Sequence, residues 1–159
     1  MDLVLGIDPS TKCGWGLLTL TGKRVDSGTF PLAPTKREGD GARFFKLHSS
    51  LTFVKMGLRD CSLTVAYEVP GGHFESQAAM LAIVGLAAHV ESWCEREHLV
   101  YVGFAPAEVK RAAGLKGNAK KPEMVAAANA RWAPHTFKAD EADACFIALA
   151  LLKERGCVS

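Results

Sequence analysis

Three short apolar runs open the 159-residue chain, over residues 3–8, 15–20 and 25–30, with Gly22-Lys23 as a turn signal between the last two. Runs so closely spaced predict an antiparallel meander of three strands. Beyond a loop holding Pro31 and Pro34, residues 42–59 place Phe44, Phe45, Leu47, Leu51, Phe53, Val54 and Leu58 at mostly helical spacing, with Gly57 near the end. Residues 63–68, Leu-Thr-Val-Ala-Tyr-Glu, are rich in β-branched and aromatic side chains and stop before Pro70-Gly71-Gly72, the pattern of a fourth strand. A long helix over 76–98, a fifth strand over 99–104 and helices over 107–113, 122–132 and 141–155 complete the order βββαβαβααα. Strand and helix alternating after a meander predict an α/β fold, a five-stranded mixed sheet flanked by helices on both faces.

Composition narrows this picture. With 48% apolar and 23% charged residues, and no repeat or low-complexity tract, the chain reads as one domain over residues 1–159. The longest apolar stretch, residues 78–88, stops at His89, short of the roughly 20 residues that cross a bilayer, so no membrane span is expected. The N-terminus carries Asp2 and Asp8 without a basic start, so no export signal is expected either. Five cysteines, at 13, 61, 94, 145 and 157, form no Cys-x-x-Cys pair and fit neither a disulfide framework nor a zinc ribbon. A cytoplasmic location is the expectation. Net charge is only +2, but its distribution is informative: residues 103–138 hold seven basic residues and two acids, and residues 139–159 hold four acids and two basic residues. A basic segment runs directly into an acidic helix.

Four carboxylates carry the chemistry. Asp8 ends the first strand, and Glu68 ends the fourth in the same manner. Taken singly, each also reads as an ordinary strand-end residue, Asp8 as the first half of an Asp-Pro turn. Asp140 and Asp143 lie three apart at the start of the last helix, on one face. Acids near a helix N-terminus favourably oppose the macrodipole, and Asp140 could serve as the N-cap. Their face continues, however, through Phe146, Ile147 and Ala150, the stripe expected to meet the sheet. A carboxylate aimed at a core is costly unless paired or bound to a metal. If the two strand ends and the helix converge at one end of the sheet, as ligand sites in open sheets do, four carboxylates share one mouth and require bound cations. An all-oxygen ligand set selects Mg²⁺ or Mn²⁺ over zinc. Two such ions about 4 Å apart are a device for cutting phosphodiesters, and the basic segment has the phosphate backbone as its partner.

These residues together resemble the RuvC-type Holliday-junction resolvases of the ribonuclease H-like fold. The resemblance covers nearly the whole chain: Gly6-Ile7-Asp8-Pro9, the strand ending in Glu68, Pro106-x-x-Val109-Lys110 with the Gly/Ala/Lys stretch after it, and Asp140-x-x-Asp143-Ala144. It implies a homodimer that binds a four-way DNA junction and nicks two strands symmetrically, leaving 5′-phosphate ends. It implies too that Asp8, Glu68, Asp140 and Asp143 are catalytic and hold two Mg²⁺ ions, with Mn²⁺ able to substitute. The chain departs from the cellular pattern at Ser10-Thr11, at Glu141, at Cys145-Phe146 and in the loop Val69-Pro70-Gly71-Gly72-His73-Phe74. Those departures look like bacteriophage versions, for which the location would be the host cytoplasm. Phe74 is the aromatic residue available to act at the junction centre.

Lys110, Lys116, Lys120 and Lys121 flank Gly114, Gly117 and Asn118, a flexible basic loop suited to phosphate contact, or otherwise a solvated connection between helices. His73 has no partner in view and stays off the catalytic set. Trp15, Trp93, Trp132, Cys13 and Cys145 read as packing residues. Ala78, Ala79, Ala82, Gly85, Ala87 and Ala88 form a small-residue surface on the long helix, for intrachain packing or for the dimer seam. Two other readings remain open. Gly6-Ile7-Asp8-Pro9-Ser10-Thr11 also resembles the first phosphate loop of actin-like ATPases, which need two such domains, and a non-catalytic junction-binding protein would keep the fold.

Overall fold

The computed structural model describes residues 1–72 and 74–159, so His73 lies outside the described residues. The elements are β1 (Asp2–Asp8), β2 (Lys12–Thr19), β3 (Arg24–Pro31), α1 (Ala42–Met56), β4 (Ser62–Glu68), α2 (Gln77–Arg96), β5 (Val100–Phe104), α3 (Pro106–Ala112), α4 (Lys121–Arg131) and α5 (Ala139–Glu154). Their order and types are those the apolar pattern predicts. One sheet runs β3-β2-β1-β4-β5. The first three strands form the antiparallel meander, and β4 and β5 add to β1 in parallel.

Alternation along β1 separates two cores. Leu3, Leu5 and Ile7 face α1 and α2, where they meet Leu47, Leu51, Leu86, Val90 and Trp93. Val4 faces the other way, onto α5. Helices α3 and α4 then cover α5 with Val109, Met124 and Trp132. Because α5 lies between the sheet and those helices, Ala142 and every residue from Ala144 to Leu152 are buried. The single stripe read from the sequence understates this burial.

Two boundaries move for identifiable reasons. Strand β2 begins at Lys12 rather than 15, since Lys12 pairs with Pro31 and Gly14 with Asp8 before the apolar run starts. Helix α5 begins at Ala139, with Lys138 as the N-cap residue; the Glu141 carboxylate accepts the Lys138 N–H at 3.2 Å. Asp140 therefore stands in the first turn and is not the cap.

Helix α2, 20 residues long, is, among the described residues, the one helix long and apolar enough to cross a membrane, a feature that a search for an uninterrupted apolar run passes over. Here it buries Ala82, Leu86, Ala87, Val90, Trp93 and Cys94 against the sheet. Its small residues divide between roles. Gly85 gives way to the Phe44 ring of α1, whose Cζ would lie 2.7 Å from an added Cβ, whereas Ala78 and Ala88 are exposed.

Candidate active site

Asp8 and Glu68 are the last residues of neighbouring parallel strands, one position past the paired Ile7 and Tyr67. Since Ile7 and Tyr67 face α1 and α2, alternation turns both carboxyl groups toward α5. Helix α5 reaches them because the strands beneath it are stripped of side chains. A Cβ at Gly6 would overlap the Ala144 carbonyl, and one at Gly14 would overlap the Asp140 carbonyl. The first turn of α5 thus rests on the backbone of β2 beside Asp8, bringing Asp140 and Asp143 to the strand ends.

Proton affinities record how tightly this group is assembled. Burial pushes the Asp8 carboxyl well above its usual range, and repulsion from Glu68, Asp143 and Asp140 adds to it, while Lys121 eases it. Burial and Asp143 push Glu68 up to about 7, against the pull of Lys110 and Lys121. Burial raises Asp143 to about 6, with Lys121 and Lys110 opposing and Asp140 assisting. Lys121 donates to Asp140 at 3.0 Å, and that bond holds the ammonium above its ordinary value.

Two hollows meet at Glu68. One, of about 220 Å³, is lined by Asp8, Ser10, Glu68, Pro70 and Phe74. The other, of about 520 Å³, is lined by Glu68, Lys110, Lys120, Lys121 and Asp143. Lys116 is exposed on the α3–α4 connection and lines neither. Among the described residues, no three His, Cys, Asp or Glu side chains are drawn close enough to form a finished metal cage. The donor set nevertheless fits a hard divalent cation. It is all oxygen, it is withdrawn from water, and its mutual repulsion is what a divalent charge would cancel.

Some parts of the site were given no structural role from the sequence. Gly6 and Gly14 leave only a weak signal, glycines inside strands, which marks close approach of another backbone. Glu141 is buried, and its Oε1 accepts from Ser27 Oγ at 2.6 Å and lies 2.8 Å from His135 Nε2. Burial pushes Glu141 upward, but the bonds from Ser27, His135 and Lys138 outweigh it and hold the carboxyl below its usual value. Ser27 and His135 lie 114 and 6 residues away from Glu141, with no spacing rule linking the three. The packing residues behave as read: Trp93, Trp132, Cys13 and Cys145 are buried, and Trp15 stacks on Phe30 at 5.7 Å between centroids.

No family model matches the chain. Two solved structures share its fold: RuvC of T. thermophilus in complex with a Holliday junction substrate, with a TM-score of 0.77 at 18% identity over 98% of this chain and 96% of that one, and RuvC of Thermus thermophilus, with a TM-score of 0.73 at 22% identity over 97% and 96%. In sequence, the chain is 30% identical over 159 residues to the crossover junction endodeoxyribonuclease RuvC of Anaeromyxobacter sp. (strain Fw109-5), covering 96% of this chain and 74% of that protein. The antiparallel meander continued by two parallel strands is that of a ribonuclease H-like sheet, and the chain belongs to the RuvC family of crossover junction endodeoxyribonucleases, enzymes that use divalent metal.

Proposed function

We propose that the chain, acting over residues 1–159 as one nuclease domain, resolves four-way DNA junctions by paired symmetric nicks. The observation that carries this reading is the set of half-buried, mutually repelling carboxylates at adjoining strand ends, opening onto a hollow lined by lysines. Asp8, Glu68, Asp140 and Asp143 would hold two Mg²⁺ ions, with Mn²⁺ able to replace them. When bound, the metal supplies an activated water and neutralises charge on the departing oxygen. Lys110, Lys120 and Lys121 orient the scissile strand by its phosphates, and Lys116 extends that track along the arm. Phe74, half-buried beside Asp8, offers an apolar surface to bases unpaired at the junction centre.

The proposal includes a homodimer, because two symmetric cuts need two sites related by a two-fold axis. Support comes from side chains left without cover: Phe45, Phe53 and Met56 on α1 are 75%, 78% and 70% exposed, and Leu81 and Val84 of α2 are also exposed. The seam is therefore placed on the apolar faces of α1 and α2, with Gly85 already occupied by Phe44. A non-catalytic junction binder would have no need of carboxylates at such electrostatic cost. The cytoplasm, of the host if a phage carries the gene, is where such an enzyme meets its DNA.

Asp8→Asn and Asp143→Asn test the assignment. Each should abolish Mg²⁺-dependent nicking while junction binding stays intact or tightens, since removing negative charge beside phosphates cannot weaken attraction to them. Normal nicking by either variant would refute the site.

A further inference from the structure

Among the described residues, Glu141 is the buried charged side chain, at 5% exposure, and the metal-holding set does not use it. Its two oxygens contact three groups on two segments, β3 and the α4–α5 connection. Ser27 Oγ of β3 donates to Oε1 at 2.6 Å, His135 Nε2 from the α4–α5 connection lies 2.8 Å from the same oxygen, and the Lys138 N–H donates to Oε2 at 3.2 Å. Ser27 is itself held, since Arg24 Nε donates to its hydroxyl at 2.5 Å. At this end α5 meets the strands mainly as backbone against glycine, at Gly14 and Gly6, with the small Cys145 side chain over Gly16. Such contact sets how near the helix comes, but a smooth surface does little to fix its rotation or its slide. One residue along a helix turns by about 100°, so an anchored Glu141 fixes the directions of its neighbours at 140 and 143.

We infer that Glu141 is a positioning residue: by tying the first turn of α5 to β3 and to the preceding connection, it aims Asp140 and Asp143 toward the strand ends, where with Asp8 and Glu68 they would hold a divalent cation. The inference rests on the metal-site reading above. A buried polar contact is weak evidence for stability as such, and the placement of the Glu141 anchor beside two carboxylates gives it a consequence for metal affinity.

Mn²⁺ affinity, read from the free-ion electron paramagnetic resonance signal well below the melting temperature, tests it without reference to activity. The proteins are wild type, Glu141→Ala, Glu141→Gln, Ser27→Ala and Asp143→Asn. Outer partners of metal ligands set affinity by about 10–100-fold, so Glu141→Ala should bind Mn²⁺ about tenfold more weakly or worse. Glu141→Gln keeps an acceptor oxygen and should recover most of the loss, with Ser27→Ala intermediate. Wild-type affinity in Glu141→Ala, with Asp143→Asn deficient, overturns the positioning role and leaves the metal site standing. Wild-type affinity in Asp143→Asn overturns the metal site instead. A Gln variant as weak as the Ala variant, both folded by circular dichroism, overturns the geometric account in favour of charge alone. Should Glu141→Ala fail to fold, Ser27→Ala decides, and an unchanged affinity there counts against the inference.

Discussion

Three carboxyl groups that titrate late give the site its pH signature. Glu68, at about 7, and Asp143, at about 6, bind protons more tightly in the folded chain than in the unfolded one, where such groups titrate near ~4. The stability this confers is fully present below the unfolded value and is lost as pH rises through 6 and 7. Metal-free protein should therefore melt at a lower temperature at pH 7.5 than at pH 5.5. His48 acts in the opposite sense, because burial, His89 and Arg96 lower its proton affinity and the fold loses stability as pH drops below the ordinary histidine value. Comparison with Asp143→Asn cancels that contribution. The variant should show a shallower decline and, without metal at pH 7.5, a stability gain of about 1–2 kcal/mol by thermal melting. Added Mg²⁺ should raise the wild-type melt at pH 7.5 and leave Asp143→Asn nearly unmoved. A variant melting below wild type in EDTA would contradict the assembled carboxylate cluster.

Glycines make the element-scale geometry possible, since α5 can lie on β1 and β2 only where no side chain intervenes. Gly14→Val drives a branched side chain, whose Cβ already overlaps the Asp140 carbonyl, under α5, and overpacking of that kind costs on the order of 3 kcal/mol. Loss of nicking with a lowered melt is the expected result, whereas Gly39→Ala, where nothing lies within 4 Å, should change neither. The ten elements were legible because each strand and helix carries its own local period. The strand-end carboxylates were legible because they close those runs. What escaped was set by neighbours distant in sequence: β2 starts early because Lys12 finds Pro31, and α5 is buried on all sides because α3 and α4 cover it. Lys121 is the sharpest case, reading as a loop lysine suited to phosphate contact while the fold makes it the first residue of α4 and a partner of Asp140. Lys116 and Lys120 remain exposed and serve as the cleaner test of the DNA track. Their joint replacement by alanine should flatten the salt dependence of log K by about two units without lowering the melt. An unchanged slope would place the track elsewhere, over Lys36, Arg37, Arg43 and Lys46.

At the scale of the molecule, the proposed seam on the exposed faces of α1 and α2 would decide whether one site or two act on a junction. Light scattering at micromolar concentration should report a dimer, and Phe53→Glu combined with Leu81→Glu should convert it to a monomer that still folds, because neither residue belongs to a buried core. That monomer should nick one strand at a time, so that linearly paired products disappear before total nicking does. A wild-type monomer, with or without junction DNA, would remove the symmetric mechanism while leaving the carboxylate chemistry intact. The most direct measurement is cleavage of a synthetic four-way junction labelled on each strand in turn, with Mg²⁺ and with EDTA, beside a linear duplex of matching sequence. Symmetric nicks in two opposed strands, bearing 5′-phosphates that ligase reseals, appearing only with Mg²⁺ and only on the junction, are the predicted result. Binding of the junction with no cleavage in Mg²⁺ or Mn²⁺, or equal cutting of the linear duplex, would contradict it.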